Sequence, residues 1–202
     1  MENNITKDLL AIEAVQLNAD NYFTWTSGLK SPIYCDNRLT MSYPAVRKKI
    51  VQAFADMVKN SDTKPEVIAG CATAGIPHAA WLAEELDLPM VYVRSKPKGH
   101  GKGNQIEGAS VEGKKVLVIE DLISTGGSSI QSAEALKQDG AEITAVYSIF
   151  TYGLPRAQKA FEEAGFSYES ITGFDQLLEL LIEENKLTEK EKETVLAWRS
   201  EL

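Results

Sequence analysis

Cysteine is scarce in this 202-residue sequence, which contains only Cys35 and Cys71. The two lie in unrelated segments and lack the close spacing of metal ligands. A disulfide framework and a structural zinc site are therefore not expected. We interpret both cysteines as packing residues.

The sequence also lacks a long apolar run. Its first residues, MENNITKDLL, carry an acid and amides where a secretory signal has basic residues and an apolar core. We therefore expect a cytoplasmic protein with no membrane partner.

Positive charge is in short supply, because 21 lysines and arginines stand against 29 acidic residues and the formal net charge is −8. Such a chain repels polyanions at long range, which argues against a nucleic-acid partner. Any phosphate-binding site must therefore be built from local groups.

Periodic segments alternate between helix and strand, and no repeat, low-complexity stretch or linker divides them. We expect a single domain over residues 1–202. Short apolar runs such as VLVI, separated by helices, indicate a parallel sheet with helices on both faces. The pattern predicts helices at residues 5–15, 46–57, 77–86 and 129–138, two more near the C-terminus, and strands at residues 67–69, 90–93, 116–119 and 143–150.

The stretch VLVIEDLISTGGSS, residues 116–129, places two acids at the end of a predicted buried strand. Ligands of open α/β sheets bind at such strand ends. Glu120 and Asp121 would repel an anion, but they can hold a vicinal diol or face a magnesium ion. The hydroxyls and amides of residues 124–128, at the start of the next helix, suit a phosphate. Together they predict a cradle for a ribose 5-phosphate, although an acidic pair followed by a glycine turn also occurs without function.

Residues 116–128 resemble, at every position, the signature with which type I phosphoribosyltransferases bind phosphoribosyl diphosphate (PRPP). The signature differs from a Walker loop, which has Gly-Lys-Ser/Thr, and from a dinucleotide fingerprint, which has a glycine where the acids stand. The resemblance implies the parallel-sheet type I phosphoribosyltransferase fold, an α/β fold with helices on both faces and a small N-terminal hood at about residues 1–40. It further implies PRPP contacts from Glu120, Asp121, Leu122, Ile123, Ser124, Thr125, Gly126, Gly127 and Ser128.

Two other segments, FTWTSGLKSPIYCDNR and VRSKPKGHGKGNQIEG, combine with this signature to resemble the orotate phosphoribosyltransferase family. Its members join orotate to PRPP, giving orotidine 5′-monophosphate and pyrophosphate in pyrimidine (UMP) biosynthesis. The resemblance implies that orotate meets Ser124, Lys30 and the backbone around Tyr34 and Cys35. It also implies a homodimer with shared active sites, and Mg²⁺ as a cofactor held mainly by PRPP without a direct protein ligand.

Residues 94–109 are basic and rich in glycine, and we interpret them as a mobile lid. Departure of pyrophosphate builds negative charge that nearby cations would stabilise, and a closed lid would exclude water. The resemblance implies that Arg94, Lys98 and His100 contact PRPP. It assigns catalysis to Lys98, His100 and Asp121, with Lys98 and His100 reaching into the neighbouring subunit. Solvated surface lysines are the alternative interpretation.

The segment GCATAG, residues 70–75, predicts a second strand-end loop. Its backbone N–H groups would face the pyrophosphate, and its glycines would permit close approach, although a simple turn is an alternative. His78 follows just inside a predicted helix without an identifiable partner. We interpret it as structural.

Four positions depart from another branch of the family, which carries basic residues where this sequence has Thr26, Ala74, Ser95 and Thr151. Each charge-assisted contact is worth roughly 1.5–3 kcal/mol, so affinity is lower unless neighbours compensate. The candidates for compensation are Lys30, Lys96 and Arg156.

Two alternatives to orotate transfer therefore stay open. A phosphoribosyltransferase for another base is one, and the segment of residues 30–34 argues against it. A non-enzymatic PRPP sensor is the other, and the lack of a helix-turn-helix motif or basic face argues against it.

Overall fold

A six-stranded sheet forms the centre of the computed structural model, which describes residues 4–19, 21–24, 28, 30–96 and 105–201. The helices are α1 (Ile5–Ala11), α2 (Pro44–Asn60), α3 (Gly75–Leu86), α4 (Gly127–Gln138), α5 (Pro155–Ala164), α6 (Phe174–Glu183) and α7 (Glu189–Ser200), and a 3-10 helix covers Asn37–Ser42. The strands are β1 (Val15–Leu17), β2 (Phe23–Thr24), β3 (Lys30–Ser31), β4 (Ile33–Cys35), β5 (Val67–Cys71), β6 (Met90–Val93), β7 (Ile106–Glu107), β8 (Lys115–Ile123), β9 (Glu142–Thr151) and β10 (Tyr168–Gly173).

The strand order of the central sheet is β10-β9-β8-β5-β6-β7, and only the edge strand β7 pairs antiparallel. Residues 116–119 of β8 are at most 2% exposed, as expected of a central strand covered on both faces. The chain steps from β5 to β6 in one direction and from β8 to β9 in the other. Because such crossovers are right-handed, α3 and α4 cover opposite faces. The predicted α/β fold is confirmed.

Local signals fix the ends of several helices. Pro44 begins α2, and Gly140 follows α4 with φ +90°, a left-handed conformation that costs glycine little. Thr188 and Glu191 form the predicted capping box of α7.

The predicted continuation of α1 to residue 15 is wrong. The helix ends at Ala11, and Val15 begins β1, which pairs antiparallel with β4. Val15 is opposite Cys35 and is 1% exposed, so strand pairing and burial outweigh the helical spacing of the apolar residues.

The predicted end of β8 is also too early. The strand continues to Ile123, so Glu120 and Asp121 lie within it instead of following it. Pairing with β9 sustains this extension, since Glu120 is opposite Ser148 and Leu122 is opposite Phe150.

The segment before α2 forms two small antiparallel pairs, β1 with β4 and β2 with β3. The 3-10 helix that follows contacts β8 and so reaches the centre of the sheet. One cluster of buried apolar side chains extends from Ile5 in α1 to Val195 in α7. Within the described ranges, no helix has the length and apolar character needed to cross a lipid bilayer.

Candidate functional site

The direction of the strand order reverses between β5 and β8. In open α/β sheets, ligands bind beyond the carboxyl ends of the strands at such a switch point. A cleft of about 640 Å³ lies there. It is lined by the segment before α2, the loop after β5, and β8 with the start of α4: Cys35, Asp36, Arg38, Met41, Ala72, Thr73, Ala74, Pro77, Glu120, Asp121, Leu122 and Ser128.

Glu120 is deeply buried, with 6% of its surface exposed. Its Oε1 accepts a hydrogen bond from the backbone N–H of Asp121 (3.1 Å), and its Oε2 accepts one from the Ser128 hydroxyl (3.1 Å). Burial, followed by the neighbouring Asp121 carboxylate, raises the pKa of Glu120 to about 8. The free cleft therefore favours a protonated Glu120 at neutral pH.

Asp121 is half-buried beside it, and burial raises the pKa of its carboxyl group too. Hydrogen bonds from ligand hydroxyls, or a nearby cation, would stabilise the charged forms of these two carboxyl groups. No group of three or more Asp, Glu, His or Cys side chains among the described residues is arranged to hold a metal ion. The pair therefore suits vicinal hydroxyls, or a metal ion that takes its other ligands from a bound molecule.

The chain turns from β8 into α4 over residues 124–127. Gly126 has φ +82°, and a Cβ there would lie 2.7 Å from the Phe161 ring, so the turn and the packing both require glycine. Gly126 also leaves the start of α4 without a side-chain cap. Its first backbone N–H groups and the exposed Thr125 and Ser128 can therefore meet an anion.

Leu122 and Ile123 have different surroundings. Leu122 lines the cleft, whereas Ile123 is fully buried. The Ile123 carbonyl accepts hydrogen bonds from the Thr151 hydroxyl (3.2 Å) and the Tyr152 N–H (3.1 Å). These two hydrogen bonds join the end of β8 to the end of β9, where the loop to α4 begins.

The loop after β5 brings Ala72, Thr73 and Ala74 to the cleft. Its last glycine has a packing role, because a Cβ on Gly75 would lie 2.3 Å from the carbonyl oxygen of Ile119. Gly75 thus allows α3 to pack closely against β8. The sequence instead predicts that the glycines of this segment allow a ligand to approach.

Arg94 follows β6 at the same edge of the sheet, and its guanidinium pairs with Glu107 (3.3 Å). The Arg94 N–H donates to the Gln105 carbonyl (2.9 Å), and the Gln105 side chain donates to the Arg94 carbonyl (2.8 Å). These contacts join the start of the predicted lid, residues 94–109, to Gln105 and Glu107 near its end. Lys98 and His100 lie outside the described residues.

The residues expected near orotate divide into two groups. Cys35 lines the cleft, and burial, followed by the charge of Asp121, raises the pKa of its thiol. Tyr34 is exposed, with its ring 5.9 Å from that of Phe23. Lys30 is exposed and is not part of the cleft lining, while its carbonyl accepts a hydrogen bond from the Trp198 indole (3.0 Å).

Arg38 is a residue of the cleft that sequence reasoning did not single out. It is the one cation that the described residues contribute to the lining. Its guanidinium donates two hydrogen bonds to Asp36 (2.6 and 2.9 Å), whose carboxylate also accepts the backbone N–H of Arg38. The available signal was the CDNR segment, which places an acid and a base two residues apart after a strand.

The fold and the strand-end cleft define a phosphoribosyl transferase domain, and the family model of that description matches residues 41–169. The orotate phosphoribosyltransferase of Oceanobacillus iheyensis is 69% identical over 202 residues, which cover 100% of this chain and 100% of that protein. The orotate phosphoribosyltransferase of Listeria monocytogenes serotype 4b is 52% identical over 199 residues, covering 98% and 95%. This chain belongs to the orotate phosphoribosyltransferase family.

A solved structure gives the same result. The crystal structure of the orotate phosphoribosyltransferase from Aeropyrum pernix has a TM-score of 0.77 at 29% identity, covering 88% of this chain and 97% of that one. The resemblance drawn from three sequence segments is therefore confirmed over most of the chain.

Proposed function

We propose that this chain transfers the 5-phosphoribosyl group of PRPP to orotate in pyrimidine biosynthesis. The bond from the anomeric carbon to pyrophosphate breaks, and a bond from that carbon to a ring nitrogen of orotate forms. The observation that carries the proposal is the switch-point cleft, where a buried carboxyl pair lies beside the uncapped start of α4. One end of this cleft suits ribose hydroxyls and the other a phosphate.

The PRPP side of the site follows from this polarity. Glu120 and Asp121 accept hydrogen bonds from the ribose hydroxyls. The loop from Ser124 to Ser128 donates to the 5-phosphate through the hydroxyls of Ser124 and Thr125 and through its backbone N–H groups, while the Ser128 hydroxyl donates to Glu120. We assign the pyrophosphate to the loop after β5 and to Arg94, both of which lie at the same edge of the sheet.

Catalysis requires cations where negative charge develops on pyrophosphate. Lys98 and His100 of the lid are the proposed groups, acting across the interface of a homodimer in the cytoplasm. Closure of the lid would also keep water from the activated sugar. The two hydrogen bonds between Arg94 and Gln105 support this role because they bring together the residues on either side of Lys98 and His100 in the chain.

Magnesium fits the cleft as a substrate-held cofactor. Glu120 and Asp121 are two oxygen-bearing groups whose charged forms are disfavoured by burial, so a nearby cation would favour ionisation. The ion supplies charge neutralisation for pyrophosphate when bound. Among the described residues, no third Asp, Glu, His or Cys side chain is arranged with this pair to hold a metal ion, so PRPP would have to supply most of the ligands.

The orotate side needs a counter-charge, since Ala74 and Thr151 replace basic residues of another branch. Ala74 lines the cleft, and the Thr151 hydroxyl donates to Ile123. We assign the counter-charge to Arg38, which can exchange its contact with Asp36 for one with an anionic substrate. Ser124 and the backbone of Tyr34 and Cys35 would meet the pyrimidine.

The four departures also favour a second candidate, a phosphoribosyltransferase for another base. The deciding experiment measures pyrophosphate release from PRPP and Mg²⁺ with orotate, uracil, adenine or hypoxanthine. We expect release with orotate alone. Release with a different base would move the assignment to that base, and binding of PRPP without release would support a PRPP sensor.

A further inference from the structure

Asn37 connects the segment before α2 to the central strand of the site. Its side chain is fully buried, and its Nδ2 donates a hydrogen bond to the backbone carbonyl of Asp121 (2.7 Å). The two residues are 84 positions apart in the chain, so the bond is a tertiary tie. It holds the backbone of the residue whose carboxylate faces the cleft.

The backbone of Asn37 is itself held in place by a hydrogen bond from Thr40. The Thr40 hydroxyl donates to the backbone carbonyl of Asn37 (2.6 Å), which uses the only hydrogen that this hydroxyl has. The Thr40 oxygen also lies 3.3 Å from Nε2 of His78. That oxygen must therefore act as the acceptor, and Nε2 of His78 carries the proton.

His78 is suited to this fixed role. It is 1% exposed, and burial lowers its pKa to about 4, so the ring is neutral at physiological pH. The neutral ring with a protonated Nε2 leaves Nδ1 as an acceptor. His78, Thr40 and Asn37 thus form a chain of contacts, in which the first two fix the Asn37 backbone and the Asn37 side chain binds the backbone carbonyl of Asp121.

The chain has features that stability alone does not explain. Asn37 Oδ1 and His78 Nδ1 are the two buried side-chain polar atoms, among the described residues, that have no hydrogen-bond partner. Leaving buried acceptors unpaired costs free energy, and apolar side chains of similar shape would avoid that cost. A polar chain with this penalty is better explained by the position it gives to Asp121.

We propose that Asn37 is a positioning residue for Asp121, supported in turn by Thr40 and His78. Fixing the Asp121 backbone directs its carboxylate to the ribose hydroxyls of PRPP. This inference rests on the proposed function and adds to it a part of the site that the contiguous signature does not contain.

The test compares Asn37→Ala with Thr6→Val. Thr6 is a matched control because it is buried and its hydroxyl is hydrogen-bonded to that of Thr172, 166 positions away in the chain and outside the cleft lining. Both variants lose a buried hydrogen bond. We expect Asn37→Ala to raise the KM for PRPP and to lower kcat/KM about tenfold or more, as small displacements at a reacting centre do. We expect the KM for orotate to change less than twofold.

The control should lose thermal stability while keeping both KM values. Thr40→Val keeps the volume and removes the supporting hydroxyl, so a smaller rise in the KM for PRPP is expected if Asn37→Ala does not fold. Folded Asn37→Ala or Thr40→Val with wild-type kinetics would overturn the inference. Failure of the wild-type enzyme to make orotidine 5′-monophosphate in the same assay would instead overturn the proposed function.

Discussion

Glu120 is kept in surroundings that disfavour its charge. Its pKa of about 8 in the folded protein lies above the ordinary value of 4.5, so the folded state binds more protons between these pH values. Stability from this group is present at low pH and is lost as pH rises through about 8. The buried carboxyl group therefore lowers the stability of the free protein at neutral pH, at the place proposed for the ribose hydroxyls.

Replacing Glu120 with glutamine should remove this penalty. We expect Glu120→Gln to melt at the wild-type temperature near pH 4, below the ordinary pKa, and several degrees higher at pH 8.5, because each pH unit between the two pKa values is worth about 1.4 kcal/mol. The same variant should bind PRPP more weakly. Melting curves across pH test the first part, and titration with PRPP and Mg²⁺ tests the second. A variant that is less stable at pH 8.5 would contradict the assigned cost of the buried charge.

Substitutions of Arg38 and of Asp36 should change the KM for orotate in opposite directions. Arg38→Gln removes the one cation of the described cleft lining, and we expect the KM for orotate to rise about tenfold, the equivalent of roughly 1.4 kcal/mol. Asp36→Asn weakens the competing ion pair but keeps an oxygen to cap the 3-10 helix, so the KM for orotate should fall. Steady-state kinetics at saturating PRPP measure both. A rise in both variants would indicate damage to the loop and would count against the assigned role of Arg38.

At the scale of single residues, the sequence predicted those candidate site residues that are close together in the chain. Glu120, Asp121 and Ser128 fall in one short run, and the structure brings them to one cleft. Asn37 and Arg38 were not singled out, because only the tertiary approach of their segment to β8 brings them to the site; Asn37 lies 84 positions before Asp121. No local pattern encodes that approach.

The helices α3 and α4 both begin at the cleft, and the first residue of each is a glycine. The surroundings of the two glycines differ. A Cβ on Gly75, at the start of α3, would lie 2.3 Å from the backbone of β8. A Cβ on Gly127, at the start of α4, would meet only Thr125 Oγ1 at 3.9 Å. The first glycine is required by packing, and the second leaves space at the place proposed for the phosphate.

Alanine at these two positions should separate folding from binding. Gly75→Ala must push α3 away from β8, and we expect a loss of roughly 3 kcal/mol in the free energy of unfolding. Gly127→Ala should keep wild-type stability and raise the KM for PRPP, because the methyl group crowds the phosphate. Urea unfolding and kinetics on both variants test this contrast. A stable Gly75→Ala enzyme would show that the α3–β8 contact is less tight than the geometry indicates.

Elements with a clear period were predictable, and elements set by pairing were not. The VLVI run located β8, and the capping box located α7. Sequence reasoning assigned no element to residues 152–173, where α5 and β10 lie. Pro155 and Gly165, which bound α5, were local signals that went unused, whereas β10 alternates weakly and depends on its pairing with β9.

The whole molecule is acidic but must handle two anionic substrates. Net repulsion makes the local placement of cations decisive. Arg38 is the one cation among the described residues that line the cleft, and Arg94 pairs with Glu107 at the start of the predicted lid. We therefore expect the remaining positive charge of the proposed reaction to come from the lid, and in the proposed homodimer that charge would be the partner's contribution.

Subunit mixing tests this sharing. Lys98→Ala should lower turnover strongly, because lid cations act as charge develops, and Asp121→Asn should weaken the ribose contacts. If the lid serves the neighbouring site, a mixed dimer has one site with both defects and one intact site. Random exchange makes about half of the dimers mixed, so about a quarter of wild-type activity should return.

The control for this experiment is exchange itself, followed by native mass spectrometry of two tagged variants. Each variant incubated alone must stay at its own low activity. Recovery near a quarter supports a lid that acts across the dimer. Confirmed exchange without recovery would place Lys98 in the site of its own subunit, because every site would then carry one defect, and the lid's charge would have to be explained within a single chain.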